Sequence, residues 1–217
     1  MGDLIRLADR RDALRARPPW RRGDPLRAEF LFDLASPFTY LAAERVERAF
    51  SGVRWTPASS TAVRRGSLAS DPAALARARN AAEQRAAMLR LPLVWPETYP
   101  ADVPAAMRVA SYAAECGRGG AFALAAGRLA FCGGFDLDDP EILAEAAAAA
   151  GLGLDGCLRA AGEVRRDGPI EAAGLRLLSA GADRLPALRV GRSLFWGEGQ
   201  VAEAAAAARL HAAAAGR

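Results

Sequence analysis

Ser36-Pro37-Phe38-Thr39 is the stretch of this sequence whose residue types and spacing bear most directly on chemistry. It sits where an apolar run, Glu29 to Leu34, gives way to a helix-like segment. A Cys-x-x-Cys pair at such a place would make a dithiol–disulfide centre. Here serine and threonine hold the two outer positions. A serine hydroxyl is a poor nucleophile without a neighbouring base, but it is a good hydrogen-bond donor. Ser36-Pro37 also reads as N-cap followed by the first helical residue. Unpaired N–H groups and the helix dipole at that end favour an anion. A thiol of ordinary pKa, about 8.5, is acidified at such a site. The junction can therefore stabilise a thiolate brought in by another molecule. On the residues alone, the other reading is that Ser36 only caps the helix.

The remaining composition removes most other chemistries. All 29 basic residues are arginine, so no lysine can form a Schiff base. The single histidine, His211, lies in the closing "RLHAAAAGR" and reads as a tail residue, against Ser-His-Asp and Cys-His catalysis. Cys116, Cys132 and Cys157 are widely spaced in helix-like segments and read as reduced, structural thiols, and no metal site is expected. Net charge is +4, with arginines scattered among 25 acids, so no nucleic-acid surface is expected. No apolar run reaches the length of a membrane span, and the first 25 residues lack the continuous apolar segment of a signal peptide. A cytoplasmic location is the expectation. "GLGLDG" at 151–156 matches G-x-G-x-x-G but follows an alanine-rich helix rather than a strand, so it reads as an interhelical turn.

The elements that must position Ser36 read clearly. "EFLFDL" is a buried strand, "FTYLAAERVERAF" a helix stopped at Gly52, and "VRWTPAS" a second strand ended by Pro57. From 62 to 167 alanine, leucine and arginine dominate, and four or five helices are punctuated by Asp71-Pro72, Pro92, Gly117, Gly133-Gly134, Asp139-Pro140 and Gly151. "PIEAAGLRLLSAG" is a helix closed by Gly181. "LPALRVG" and "SLFWG" form a hairpin turning at Gly191-Arg192, and a last helix follows. Removing the helical block leaves βαβ-αββα. The expectation is an α/β protein: a thioredoxin-like domain from 29–61 and 168–217, an inserted all-α domain at 62–167, and a helical extension at 1–28.

"FDLASPFTYLA", the alanine-arginine helices through "DLDDPEILAEAAAAAGL", and "LPALRVGRSLFWGEGQV" together resemble the 2-hydroxychromene-2-carboxylate isomerases and kappa-class glutathione transferases, of the DsbA-like branch of the thioredoxin fold. The resemblance spans roughly residues 29–205. It implies glutathione, or another low-molecular-weight thiol, as cofactor, with Ser36 beside its sulfur. Pro186 matches the cis-proline facing the thiol, and Leu185 would offer backbone groups. Pro37 and Phe38, and Gly197 and Glu198 at the start of the last helix, would complete the thiol site. Glu198 would stand in for an acid the family carries in a Gly-x-Asp-Arg run, which is Gly197-Glu198-Gly199-Gln200 here. The implied reaction is isomerisation of a conjugated intermediate of aromatic breakdown by reversible thiolate addition. A kappa-type transferase and a non-catalytic DsbA-family binding protein are the alternatives. The partners implied are a small-molecule substrate and a second copy in a homodimer. Tyr40, Trp95 and Tyr99 either wall a substrate pocket or pack structurally. Phe38 stands under the same alternative. Asp33 either orients the junction or forms a local ion pair, Thr39 is expected to be structural, and Trp196 is expected in the core.

Overall fold

The protein, as a computed structural model, describes residues 28–50, 52–64 and 71–215. The extension expected at 1–28 therefore lies, but for Ala28, outside the described residues. Strand β1 (Ala28–Phe32) runs into helix α1 (Pro37–Ala49) and returns as β2 (Val53–Pro57). A one-turn helix, α2 (Ser60–Arg64), comes next. Then follow α3 (Pro72–Leu89), α4 (Pro104–Glu115), α5 (Gly119–Phe131), α6 (Pro140–Ala149) and α7 (Leu154–Gly162). Helix α8 (Asp167–Ser179), strands β3 (Ala187–Val190) and β4 (Ser193–Trp196), and helix α9 (Val201–Ala215) complete the chain.

The four strands lie in the order β2-β1-β3-β4. β1 pairs parallel with β2, Ala28 opposite Val53 and Phe32 opposite Pro57. It pairs antiparallel with β3, Leu31 opposite Ala187. β3 and β4 form the hairpin, and its turn uses Gly191 at φ 57°, a conformation that glycine adopts without strain.

Strand alternation divides the core in two. Phe30 and Phe32, with Leu188 and Val190, point to the face covered by α1, α9 and the helical block. Leu31 and Ala187 point to the other face, packed with Val63 of α2 and with Ala173 and Leu177 of α8. Trp55 meets Phe30 edge-on at 4.9 Å and lies under α5. A Cβ at Gly120 would sit 2.6 Å from the Trp55 indole nitrogen, so glycine lets α5 lie that close to the sheet edge. Helices of the block meet largely through alanine: Ala106, Ala110, Ala113, Ala123, Ala126, Ala130, Ala146, Ala147 and Ala160 are all buried.

Asp71 and Asp139 cap α3 and α6 as their Asp-Pro pairs predict, accepting from Ala74 N and Glu141 N. Two boundaries differ from the sequence reading. β1 stops at Phe32, because Asp33 is drawn into the turn that follows. α8 begins at Asp167 rather than at Pro169, since proline is tolerated within the first helical turn. Among the described residues no helix is long and apolar enough to cross a membrane, and no group of three or more His, Cys, Asp or Glu is placed to hold a metal ion.

Candidate active site

At the β1–α1 junction, Asp33 fixes the backbone. One carboxylate oxygen accepts from Ala35 N at 2.9 Å and the other from Ser60 N at 2.8 Å. The Asp33 carbonyl accepts from Ser36 N, and its own N–H donates to Thr39 Oγ1 at 3.3 Å. Of the two roles open to Asp33, the geometry shows the orienting one: it ties the start of α1 to α2. Thr39 is buried and spent on this turn.

Ser36 occupies the N-cap position in an extended conformation, yet its side chain caps nothing. It is 4% exposed, and its hydroxyl has no hydrogen-bond partner among the described residues. Ser60, 8% exposed, has the same property, and these two are the buried side-chain polar atoms without partners among the described residues. Leaving a buried polar group unpaired costs about 1–3 kcal/mol. Both serines line one cleft of about 1600 Å³, and both hang from Asp33. An unpaired buried hydroxyl on a residue lining a ligand-sized cleft makes that residue a candidate for the site.

The cleft runs between the thioredoxin-like half and the helical block. Phe38, Leu185, Tyr99, Gly197 and Glu198 line it with Ser36; Pro37, Pro186, Tyr40 and Trp95 do not. The Leu185–Pro186 bond is cis. No described residue pairs with the Leu185 N–H or carbonyl, and Leu185 lines the cleft. Tyr40 is buried, its hydroxyl 3.0 Å from the Pro92 carbonyl and 3.0 Å from Cys132 Sγ. Burial and that thiol push its pKa well above the usual phenol value. Trp95 stands behind the cleft wall. It donates to Glu83 at 2.8 Å, packs on Tyr99 at 4.6 Å between ring centres and carries the Arg79 guanidinium on its face. It therefore buttresses Tyr99.

Glu198 lies at the far end of the cleft, 6% exposed, where Gly197 (φ 88°) turns β4 into α9. Its carboxylate is already occupied. Arg45 of α1 binds one oxygen and also the Glu198 carbonyl, and Arg85 of α3 binds the other oxygen at 2.5 Å. Trp196, expected in the core, stands at the cleft wall instead and is 36% exposed, because β4 is the sheet's edge strand. Arg184 first, then the Asp183 backbone N–H and last the Trp196 indole hold the Asp183 carboxyl below its ordinary range.

Sequence reasoning missed Ser60, Arg64 and Met107, which also line the cleft. No spacing rule marks them. Met107 accepts the Leu34 N–H through its sulfur at 3.4 Å, a contact across 73 residues.

No protein-family model matches the sequence, and no curated protein matches it significantly. Solved structures do match. A 2-hydroxychromene-2-carboxylate isomerase superposes with a TM-score of 0.72 at 18% identity, covering 84% of this chain and 95% of that one. A chain described as a probable DsbA oxidoreductase from Streptomyces coelicolor superposes at 0.62 and 20% identity, covering 85% and 89%. This is the DsbA-like form of the thioredoxin fold. At these identities the likeness establishes the fold. The β1–α1 junction carries Ser36 and Thr39 and no cysteine, and Cys116, Cys132 and Cys157 are all free. A disulfide centre at the junction is therefore ruled out.

Proposed function

We propose that the protein is a thiol-dependent isomerase, using glutathione or another low-molecular-weight thiol on a conjugated, aromatic substrate. The observation that carries the reading is the buried, unpartnered Ser36 hydroxyl at a helix N-terminus in a large cleft. The 2-hydroxychromene-2-carboxylate isomerase among the superposed structures supports the reaction class.

A thiol fits this end of the cleft: a hydroxyl donor, the N-terminus of α1 and the unpaired backbone of Leu185 converge there. When bound, it supplies a sulfur nucleophile that adds reversibly to a conjugated carbon, leaving a single bond free to rotate. Ser36 donates to the sulfur and the helix dipole favours its anionic form. Leu185 pairs with the peptide-like part, and Phe38 excludes water beside it. At the other end Glu198 presents a carboxylate already neutralised by two arginines, so an ammonium group there gains little from it. That is the reason for leaving the thiol's identity open to other small thiols.

Calorimetric titration of glutathione into wild type and Ser36→Ala tests the reading. Binding at micromolar to low-millimolar strength, weakened in the variant, is the expected result and leads to an isomerase assay. No heat with wild type well above a millimolar would sink glutathione and turn the titration to other thiols. A kappa-type transferase would share the thiol result and differ in accepting a conjugation substrate.

A further inference from the structure

The second orphan hydroxyl has no task in the thiol site. Ser60 is held by its backbone to the Asp33 carboxylate, as Ala35 beside Ser36 is, but it belongs to α2 on the opposite side of that carboxylate. Arg64 lies four residues on, so the two share one face of the helical turn, and both line the cleft. Tyr99 closes the group. Its ring is part of the same wall, its hydroxyl has no partner among the described residues, and it feels the charges of both Arg64 and Asp33. Burial holds its pKa above the ordinary phenol value, which keeps it a proton donor at neutral pH. A hydroxyl, a guanidinium and a phenol thus line the same cleft as Asp33 and Ser36, all able to donate.

We infer that Ser60, Arg64 and Tyr99 form an oxyanion-binding set for the electrophilic substrate, distinct from the thiol-binding set at Ser36. This rests on the isomerase reading. When sulfur adds to a carbon–carbon double bond conjugated with a carbonyl, an electron pair moves onto the carbonyl oxygen. It returns when the carbon–sulfur bond breaks, and the sulfur leaves with its own pair. The oxygen is therefore charged only between these two events, and donors fixed around it act in that interval. The orphan Ser60 hydroxyl is preorganised for this, since no protein acceptor competes for its proton. Arg64 adds a fixed positive charge.

The probe is 4-phenyl-2-oxobutanoate, an aromatic 2-oxo acid with no carbon–carbon double bond beside its carbonyl, so it cannot accept a thiol by conjugate addition. Its affinity is measured by calorimetry, alone and with saturating glutathione, in wild type, Ser36→Ala, Ser60→Ala and Arg64→Gln. Glutathione affinity is measured in the same four proteins. The expected result is that Ser60→Ala and Arg64→Gln each weaken the probe about tenfold and leave glutathione within about twofold. Ser36→Ala does the reverse. Ser60→Ala should melt no lower than wild type, because its hydroxyl has no partner to lose. The inference is overturned if the probe binds Ser60→Ala as tightly as wild type, or if its Kd for wild type exceeds about 10 mM. It is also overturned if Ser60→Ala melts several degrees lower, which would mark a structural hydroxyl. Failure of the thiol reading shows separately, as absence of glutathione binding in wild type.

Discussion

The two ends of the cleft treat buried polar groups in opposite ways. At the β1–α1 junction, Ser36 is buried with its hydroxyl unpaired. At the start of α9, Glu198 is buried just as deeply with both carboxylate oxygens bound by arginines. The first group costs stability and gains only when a ligand arrives. The second is complete without one, and it stitches α9 to α1 and to α3. Burial alone does not single out a residue for explanation; burial with an empty hydrogen-bonding valence does.

Glu198→Ala should produce the largest effect. It strands Arg45 and Arg85, each about three-quarters buried, against an apolar replacement. A loss of about 2–4 kcal/mol in urea unfolding is expected, below the fully buried case because the arginines keep some solvent. A loss under about 0.5 kcal/mol would erase the contrast between the two ends. Ser36→Ala should invert the pattern. Stability stays level or rises, while thiol affinity falls roughly 10- to 100-fold, the worth of a hydrogen bond to a charged acceptor. Thermal melts and calorimetry on one preparation read both quantities.

Gly174→Ala sharpens the comparison from the Ser60 side. A Cβ there would sit 2.6 Å from the Ser59 carbonyl and 2.9 Å from Ala62 Cβ. The Ser59–Arg64 segment would be pushed off α8 at a cost of about 1–2 kcal/mol. Probe binding should weaken while glutathione binding holds, and equal loss of both would break the division of the cleft. The smallest effect is one of pH. Arg108 binds Asp167 through two hydrogen bonds of 2.7 Å and holds its carboxyl below the usual carboxylate range. Its folded pKa is lower than the unfolded value of about 3.9, so its contribution is full above that pH and is lost as pH falls through the folded value. Asp167 is partly exposed, so the size is a few tenths of a kcal/mol at about the surface-pair level. Urea midpoints of wild type and Asp167→Asn should differ at pH 7 and converge near pH 2.

Much of the fold was legible because punctuation is local. Asp71-Pro72, Asp139-Pro140 and Gly191-Arg192 set boundaries within four residues of themselves, and the structure places caps and turn there. Helix α2 was not legible. Five residues cannot display a 3.6-residue period, and residues 58–64 straddle the end of the second strand segment at Pro57 and the start of the helical block at 62. At the site, Ser36 was legible from its place before Pro37 and from the resemblance. The state of Glu198 was not, since its partners lie 153 and 113 residues away. Trp196 shows the same limit: a tryptophan in an apolar run reads as core until the strand order makes β4 an edge.

The alanine seams of the helical block carry one more consequence. An alanine loses no rotamer freedom on burial, so these positions order at the cost of backbone entropy alone. They also have nothing to rearrange. A leucine interface can absorb a shift by changing rotamers, but a methyl group has none to change. The wall of the cleft that α4 contributes through Val103, Pro104 and Met107 is backed by Ala106, Ala110 and Ala113. The backing of that wall is therefore fixed, and what adaptability the wall has lies in the Met107 side chain.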